Sequence, residues 1–201
     1  AFPNQEVVLY IVDYYISVFL DQGLRVEVDM EELKKNGTNS INKALTFSGS
    51  DAPMNVYMSN YATYTNQHPD SSYYTFDTQL YNPQISIEER LTLLNNSMDT
   101  QKALEASFIK EHGDTYAWII RNERLSKYYH DIILKVFLYY STAIKKSVMP
   151  PDSLLQQILA HQPLLTSDAG IRYYRNIHFF LNLKNQQTEK IKIYHLSPEK
   201  V

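Results

Sequence analysis

The sequence predicts a mainly helical α+β protein, an antiparallel helix bundle around a long central helix with a small antiparallel β element. Three observations carry this. Residues 115–148 form the longest uninterrupted run of helical apolar periodicity in the chain. Glycine is scarce, 5 of 201 residues, as suits a largely helical body. Alternation with a period of two is confined to short segments, near residues 24–30, 55–65, 72–81 and 190–194.

In the central run, Trp118, Leu125, Ile132 and Tyr139 fall seven apart, and Asn122, Tyr129, Val136 and Ala143 come four residues after each. Ile119, Tyr128, Ile133, Phe137 and Tyr140 widen the stripe, so more than one neighbour must cover it. Arg121, Glu123, Arg124, Lys127, Asp131 and Lys135 mark the side expected to be wetter. Gly113 stops a preceding helix, Asp114 is placed to cap this one, and Pro150-Pro151 ends it.

Taken in order, residues 5–21 read as an amphipathic helix with Val8, Ile11, Tyr15 and Val18 on one stripe. Residues 24–30 alternate as a half-buried strand, and 31–35 add a short helical turn. The segment 47–84 has no Lys or Arg and is filled with Tyr, Asn, Ser and Thr. Its two alternating pieces, 55–65 and 72–81, read as a hairpin or a long ordered loop. Ser86 with Glu89 has the capping-box spacing for a helix over 86–96. Asp99 is placed to cap another, ending near His112. After Asp152 comes a short helix to Ala160, then one from Ser167 to Asn176. A terminal hairpin over 177–184 and 190–196 completes a single domain with a helical body at 85–162, a Tyr-rich segment at 47–84 and a helix plus hairpin at 163–201.

A formal charge of −3 gives no global attraction to nucleic acid or acidic lipid, and no charge-free run reaches the length of a membrane span. Cysteine is absent, which excludes disulfides, thiolate-ligated zinc and thiol catalysis. The first residue is Ala rather than Met, as in a processed or excised chain. Asn36-Gly37-Thr38 and Asn95-Asn96-Ser97 match the short glycosylation pattern. No phosphate loop, dinucleotide fingerprint or nucleophile elbow is present, so no catalytic residue, cofactor or metal is assigned. The six His are dispersed along the chain, and His112 suits a helix C-terminus. Glu27 and Asp29 share a strand face, most simply a solvated one. His130 and Asp131 are neighbours, whose side chains diverge on a helix.

Two segments carry functional expectations. Tyr57, Tyr61, Tyr64, Tyr73, Tyr74 and Tyr81, interspersed with Asn, Ser and Thr, have the composition of a contact surface for protein or sugar; the alternative is rings packed on the helical core. Arg172 and Arg175 share a helix face, and Lys184, Lys190 and Lys192 lie nearby, in outline like the end of a winged helix that contacts a nucleic-acid backbone. The favoured reading is a non-enzymatic interaction module whose partner is another protein. Nucleic-acid binding, or an extracytoplasmic ligand- or sugar-binding domain, is the alternative.

Overall fold

The computed structural model describes residues 5–11, 14–68, 80–82, 84–145 and 148–188. Among them the chain forms seven helices and two small antiparallel sheets, the mainly helical α+β arrangement expected.

The N-terminal segment corrects the sequence reading. Instead of a helix, β1 (Gln5–Ile11) and β2 (Tyr14–Leu20) pair antiparallel, from Gln5 opposite Leu20 to Ile11 opposite Tyr14. The segment is rich in β-branched Val and Ile, which pack well on a pleated surface and lose rotamer freedom in a helix. The inner face of β2 sends Ile16 and Val18 into a core with Leu33, Ile41, Ala44 and Leu45. β3 (Arg25–Val28) pairs with β4 (Leu45–Ser48) in a second sheet, enclosing α1 (Met30–Asn36), a short 3-10 turn and α2 (Ile41–Ala44). Asp29 caps α1 by accepting from the Glu31 and Glu32 amides, and Glu27 pairs with Arg25 at 2.8 Å on an exposed face. The acidic strand face is thus structural.

Residues 55–65, expected as part of a hairpin or a long ordered loop, lie instead in helix α3 (Ala52–Asn66). Tyr57, Tyr61 and Tyr64 stand four and three residues apart and line one side of it, each ring against Phe108 at centroid distances of 5.2, 5.1 and 5.5 Å. Asp51, at the head of α3, accepts hydrogen bonds from the Asp21, Gln22 and Gly23 amides. Gly49, with φ of 103°, lies so close to Gly23 that a Cβ there would meet its carbonyl oxygen at 2.6 Å.

One helix, α4 (Ile87–His112), replaces the two expected between residues 86 and 112. Its capping box forms as read, with Ser86 Oγ accepting from the Glu89 amide and Glu89 Oε2 from the Ser86 amide. Asp99 lies inside this helix rather than at its start and pairs with Lys102 on the surface, because no Gly or Pro interrupts the run. Gly113 ends the helix with φ of 84°.

The central helix α5 comprises Ala117–Asp131, a π-helical segment Ile132–Leu138 and a last turn Tyr139–Ala143. It runs antiparallel to α4, since contacts pass from Tyr128–Asn95 to Lys135–Arg90 as one descends α4. The π segment widens one turn and shifts the phase of the residues beyond it. Beyond it the strict seven-residue stripe fails at Tyr139, 36% exposed, and at the opposite end Trp118, in the first turn, is 44% exposed. Ile132 and Val136 of the stripe are buried as expected, with Ile119, Ile133 and Phe137 beside it, and Ile120 joins them. Asn122, the polar break in the stripe, donates to the Gln162 carbonyl and accepts from the Leu164 amide, holding the loop after α6 (Asp152–Ala160).

The last helix, α7 (Asp168–Thr188), runs through residues 177–184, which the sequence reading made a strand. Tyr173, Ile177 and Phe180 are buried at helical spacing in the main core with Leu94, Val136 and Ile158. The winged-helix outline is corrected accordingly; residues 190–196 lie outside the described residues. Ser167 caps α7 as expected, accepting from the Gly170 amide. A Cβ on Gly170 would meet the Leu164 carbonyl oxygen at 2.0 Å, so this turn admits only glycine.

Candidate functional site

The charged side of α5 is less wet than its sequence implied. Arg124 is largely buried and pairs with buried Glu105 at 2.5 Å. Lys135 is buried and pairs with Asp131 at 3.1 Å. Asp131 itself is 1% exposed. Such burial of charge is costly unless paired and hydrogen-bonded. It occurs here because α4 covers one side of α5 and α7 another.

Between α5 and the start of α7, Asp131 and Lys135 border a cleft of about 480 Å³. One wall comes from α5, with Glu123, Lys127, Asp131 and Lys135 at successive turns. The opposite wall is the first turn of α7, with Asp168 and Arg172 paired at 2.7 Å. Glu6 of β1 closes one end and Tyr81 the other. Glu6 is positioned through both backbone and side chain: its amide donates to the Thr166 carbonyl, and its Oε2 accepts from the Asp168 amide. Glu6 and Glu123 also border a second cavity of about 420 Å³ between the first hairpin and α3, so they stand in the partition between the two.

Two carboxylates in this cleft have a buried oxygen that accepts no hydrogen bond from the described residues, Glu123 Oε1 and Asp131 Oδ2. Burial pushes the Glu123 carboxyl up to about 7, opposed by the Ser167 hydroxyl and reinforced by the negative charges of Glu6 and Asp168. Burial also lowers the His130 pKa, against the raising effect of Asp131 beside it. With the Asn176 amide donating to His130 Nδ1 at 2.6 Å, the ring proton belongs on Nε2, 3.7 Å from Asp131 Oδ1. The neighbours expected to diverge thus approach to 3.7 Å, and both border the cleft. Among the described residues no group of three or more His, Asp or Glu side chains is arranged to hold a metal ion.

The residues singled out from the sequence are distributed differently. Tyr57 is buried and donates to the Gly113 carbonyl at 2.8 Å. Burial raises the Tyr61 hydroxyl pKa strongly, and Tyr64 lies between Phe108 and His68. These three rings pack α3 on α4. Tyr73 and Tyr74 lie outside the described residues. Tyr81 is exposed, rests edge-on against Tyr139 at 5.0 Å, and is the member of the set that borders the charged cleft. Of the basic set, Arg172 borders the cleft in its pair with Asp168, and Arg175 is exposed one turn on. Lys184 falls within α7 rather than on a strand, while Lys190 and Lys192 lie outside the described residues.

Sequence reasoning missed Arg90. Its guanidinium is fully buried and donates to the carbonyls of Leu80, Asn82, Ile85 and Lys135, with the Tyr139 and Tyr140 rings at 5.7 and 5.4 Å. It ties the end of the Tyr-rich segment, and with it Tyr81, to α5. Glu123 and Asp131 were visible as charges, but only the approach of β1 and α7 makes them a site.

An apolar groove of about 410 Å³ lies on the other side of α7, bordered by Leu159, Leu165, Tyr174, Ile177 and Leu181. Leu159, Leu165 and Tyr174 are exposed in it. Among the described residues no helix is long and apolar enough to cross a membrane. Comparison of the chain with protein-family models, curated proteins and solved structures finds no match.

Proposed function

We propose that the protein is a binding domain that takes a small polar ligand in the charged cleft between α5 and α7. The observation that carries this reading is the convergence of Glu6, Glu123, Asp131 and Asp168 with Lys127, Lys135 and Arg172 on one cavity of roughly 480 Å³. The cleft also has the size and the few convergent polar groups that mark ligand sites. The test is a panel of small cationic, neutral and anionic polar compounds titrated into 15N-labelled protein. Binding shifts the backbone amides of Lys127, Asp131, Asp168 and Arg172. If no compound moves them, the reading falls.

A second reading, a module that binds another protein, is favoured by the exposed apolar residues of the α6–α7 groove. It calls for affinity capture from the source's extract, with and without nuclease, beside the Leu165→Glu and Tyr174→Glu variants. Partners that resist nuclease and are lost with both variants support it. Partners that vanish with nuclease favour nucleic acid instead, a reading weakened by the engagement of Arg172 with Asp168.

A further inference from the structure

The outer edge of β2 is only partly covered. In an antiparallel ladder, pairs whose main-chain groups face each other alternate with pairs whose groups face away. Glu6 and Phe19 stand opposite one another, and the Glu6 amide donates outward to the Thr166 carbonyl at 2.8 Å. Phe19 faces outward on the other side, where the Asn55 side chain serves it as a neighbouring strand would. Asn55 Oδ1 accepts from the Phe19 amide and Nδ2 donates to the Phe19 carbonyl, both at 2.8 Å. The alternation then turns the amides and carbonyls of Ser17 and Tyr15 to that same edge. The Tyr10 and Tyr15 rings, 4.9 Å apart, agree with this phase, since side chains come closest in the pairs that face away. Among the described residues no hydrogen bond reaches the Ser17 and Tyr15 main chain from beyond the edge.

This edge opens on the cavity of about 420 Å³ between the hairpin and α3. Tyr15 and Ser17 border it from β2, Met58 and Ala62 from α3, and Ile41 and Leu45 add apolar wall. From Phe19 to Tyr15 the edge runs about 13 Å, room for a strand of about four residues. The Asn55 bonds place α3 beyond the edge, so a lone extended segment fits where the hairpin of a second copy would meet the helix. Glu6, opposite Phe19, borders the cavity with Glu123 beside it, and among the described residues no Lys, Arg or His borders it.

We infer that this slot takes an extended peptide segment of another protein, added to β2 as a further strand, with an apolar side chain against Ile41, Leu45 and Met58 and a Lys or Arg beside Glu6 and Glu123. Main-chain hydrogen bonds to Ser17 and Tyr15 hold the segment, and the cavity selects its side chains. Asn55 stops the ladder at Phe19 and so sets where the added strand ends. The slot shares Glu6 and Glu123 with the charged cleft but needs no ligand there.

The probe is a blocked hexapeptide with Lys at each end and Val and Thr alternating between, titrated into the 15N-labelled chain. It is expected to shift the amides of Tyr15, Ser17, Met58 and Ala62 and to slow hydrogen exchange at Ser17. The same peptide with its four inner nitrogens methylated should bind about tenfold more weakly, having lost its main-chain donors. Glu in place of both Lys should also weaken binding about tenfold. Ser17→Pro removes one outward donor at an edge position that tolerates proline, and should weaken the Lys peptide several-fold with amide dispersion preserved. If that variant does not fold, the methylated peptide makes the same comparison on the wild type. Equal binding of the methylated peptide would overturn strand addition, and equal binding of the Glu peptide would overturn the basic side chain. Slow exchange at Ser17 in the free chain, or shifts there that grow with protein concentration alone, would show the edge already covered and overturn the proposal. No shift with the Lys peptide would overturn it as well.

Discussion

Replacing Arg90 with Met tests whether a guanidinium with no carboxylate partner among the described residues can hold this fold together. The four carbonyls it serves differ in what they lose. Asn82 is exposed and Ile85 half-buried, so water takes over both oxygens at little cost. Leu80 and Lys135 are buried, and their carbonyls lose donors that nothing nearby replaces. At about 1.5 kcal/mol each, the lower value for a hydrogen bond to a charged group, the loss is about 3 kcal/mol. Met fills much of the aliphatic volume and removes the cost of keeping a charge dry, so the sum is not larger. For a chain of this size that corresponds to a drop of about 6–12 °C in Tm. Urea unfolding monitored by far-UV circular dichroism gives the difference directly, and hydrogen exchange at Leu80 should accelerate first. Arg90→Lys should fall between, because an ammonium is a point donor and cannot serve diverging carbonyls together. A Met variant within about 0.5 kcal/mol of wild type would refute the assignment of Arg90 as the tie between the Tyr-rich segment and α5.

Three further sites give measurable outcomes. The Glu123 carboxyl is raised to about 7 when folded, so between its ordinary value and 7 the folded state holds the extra proton and stability declines as pH rises. Glu123→Gln should therefore be stabilising at pH 8, by at most about 3 kcal/mol, with its advantage gone near pH 4, and a pH series of melting curves decides it. Asp51 is held below the usual carboxylate range by the Asp21, Gly23 and Gln22 amides, so its contribution is present above that range and lost as acid protonates it. Asp51→Asn should melt below wild type at pH 7, with the gap closing under acid; an equal gap at both would dismiss the amide cradle. Tyr57→Phe should cost about 1 kcal/mol for the bond to Gly113 and Tyr57→Ala about 3–5 kcal/mol for the lost ring. Unchanged urea midpoints would contradict the packing role.

The helices that the sequence made legible are those with explicit punctuation. Ser86 and Glu89 announce α4, Gly113 ends it, and Pro150-Pro151 lies just past α5. Where punctuation is thin, a period of two and a period of 3.6 compete over short windows. Residues 55–65 alternate well enough to pass for a strand, yet the spacing of Tyr57, Tyr61 and Tyr64 is helical, and their common target Phe108 decides the matter. Residues 5–21 fail in the opposite sense: Val8, Ile11, Tyr15 and Val18 fit a helical stripe, while cross-strand pairing with burial of Ile16 and Val18 is what the structure adopts. Residues 177–184 repeat the first error, since Tyr173, Ile177 and Phe180 continue a helical face. The cleft was illegible for a different reason. Its acidic end combines Glu6, Glu123 and Asp168, which no local pattern relates.

That wide separation has a bearing on how the protein comes into being. Glu6 belongs to β1, which leaves the ribosome ahead of the other described elements, and the amide it accepts from belongs to Asp168, 162 residues later. While a chain is being synthesised, β1 and β2 can pair, and α4 can dock on α5, long before α7 emerges. Through that interval the Glu6 side chain and the Asp131 wall face solvent. The acidic end closes only when the first turn of α7 arrives, so contacts of the largest sequence separation are made last, after the loop closure they require. Nascent chains arrested before α7 has emerged should therefore carry the hairpin and the α4–α5 pair without the acidic end of the cleft, which should form only once the first turn of α7 is free to dock.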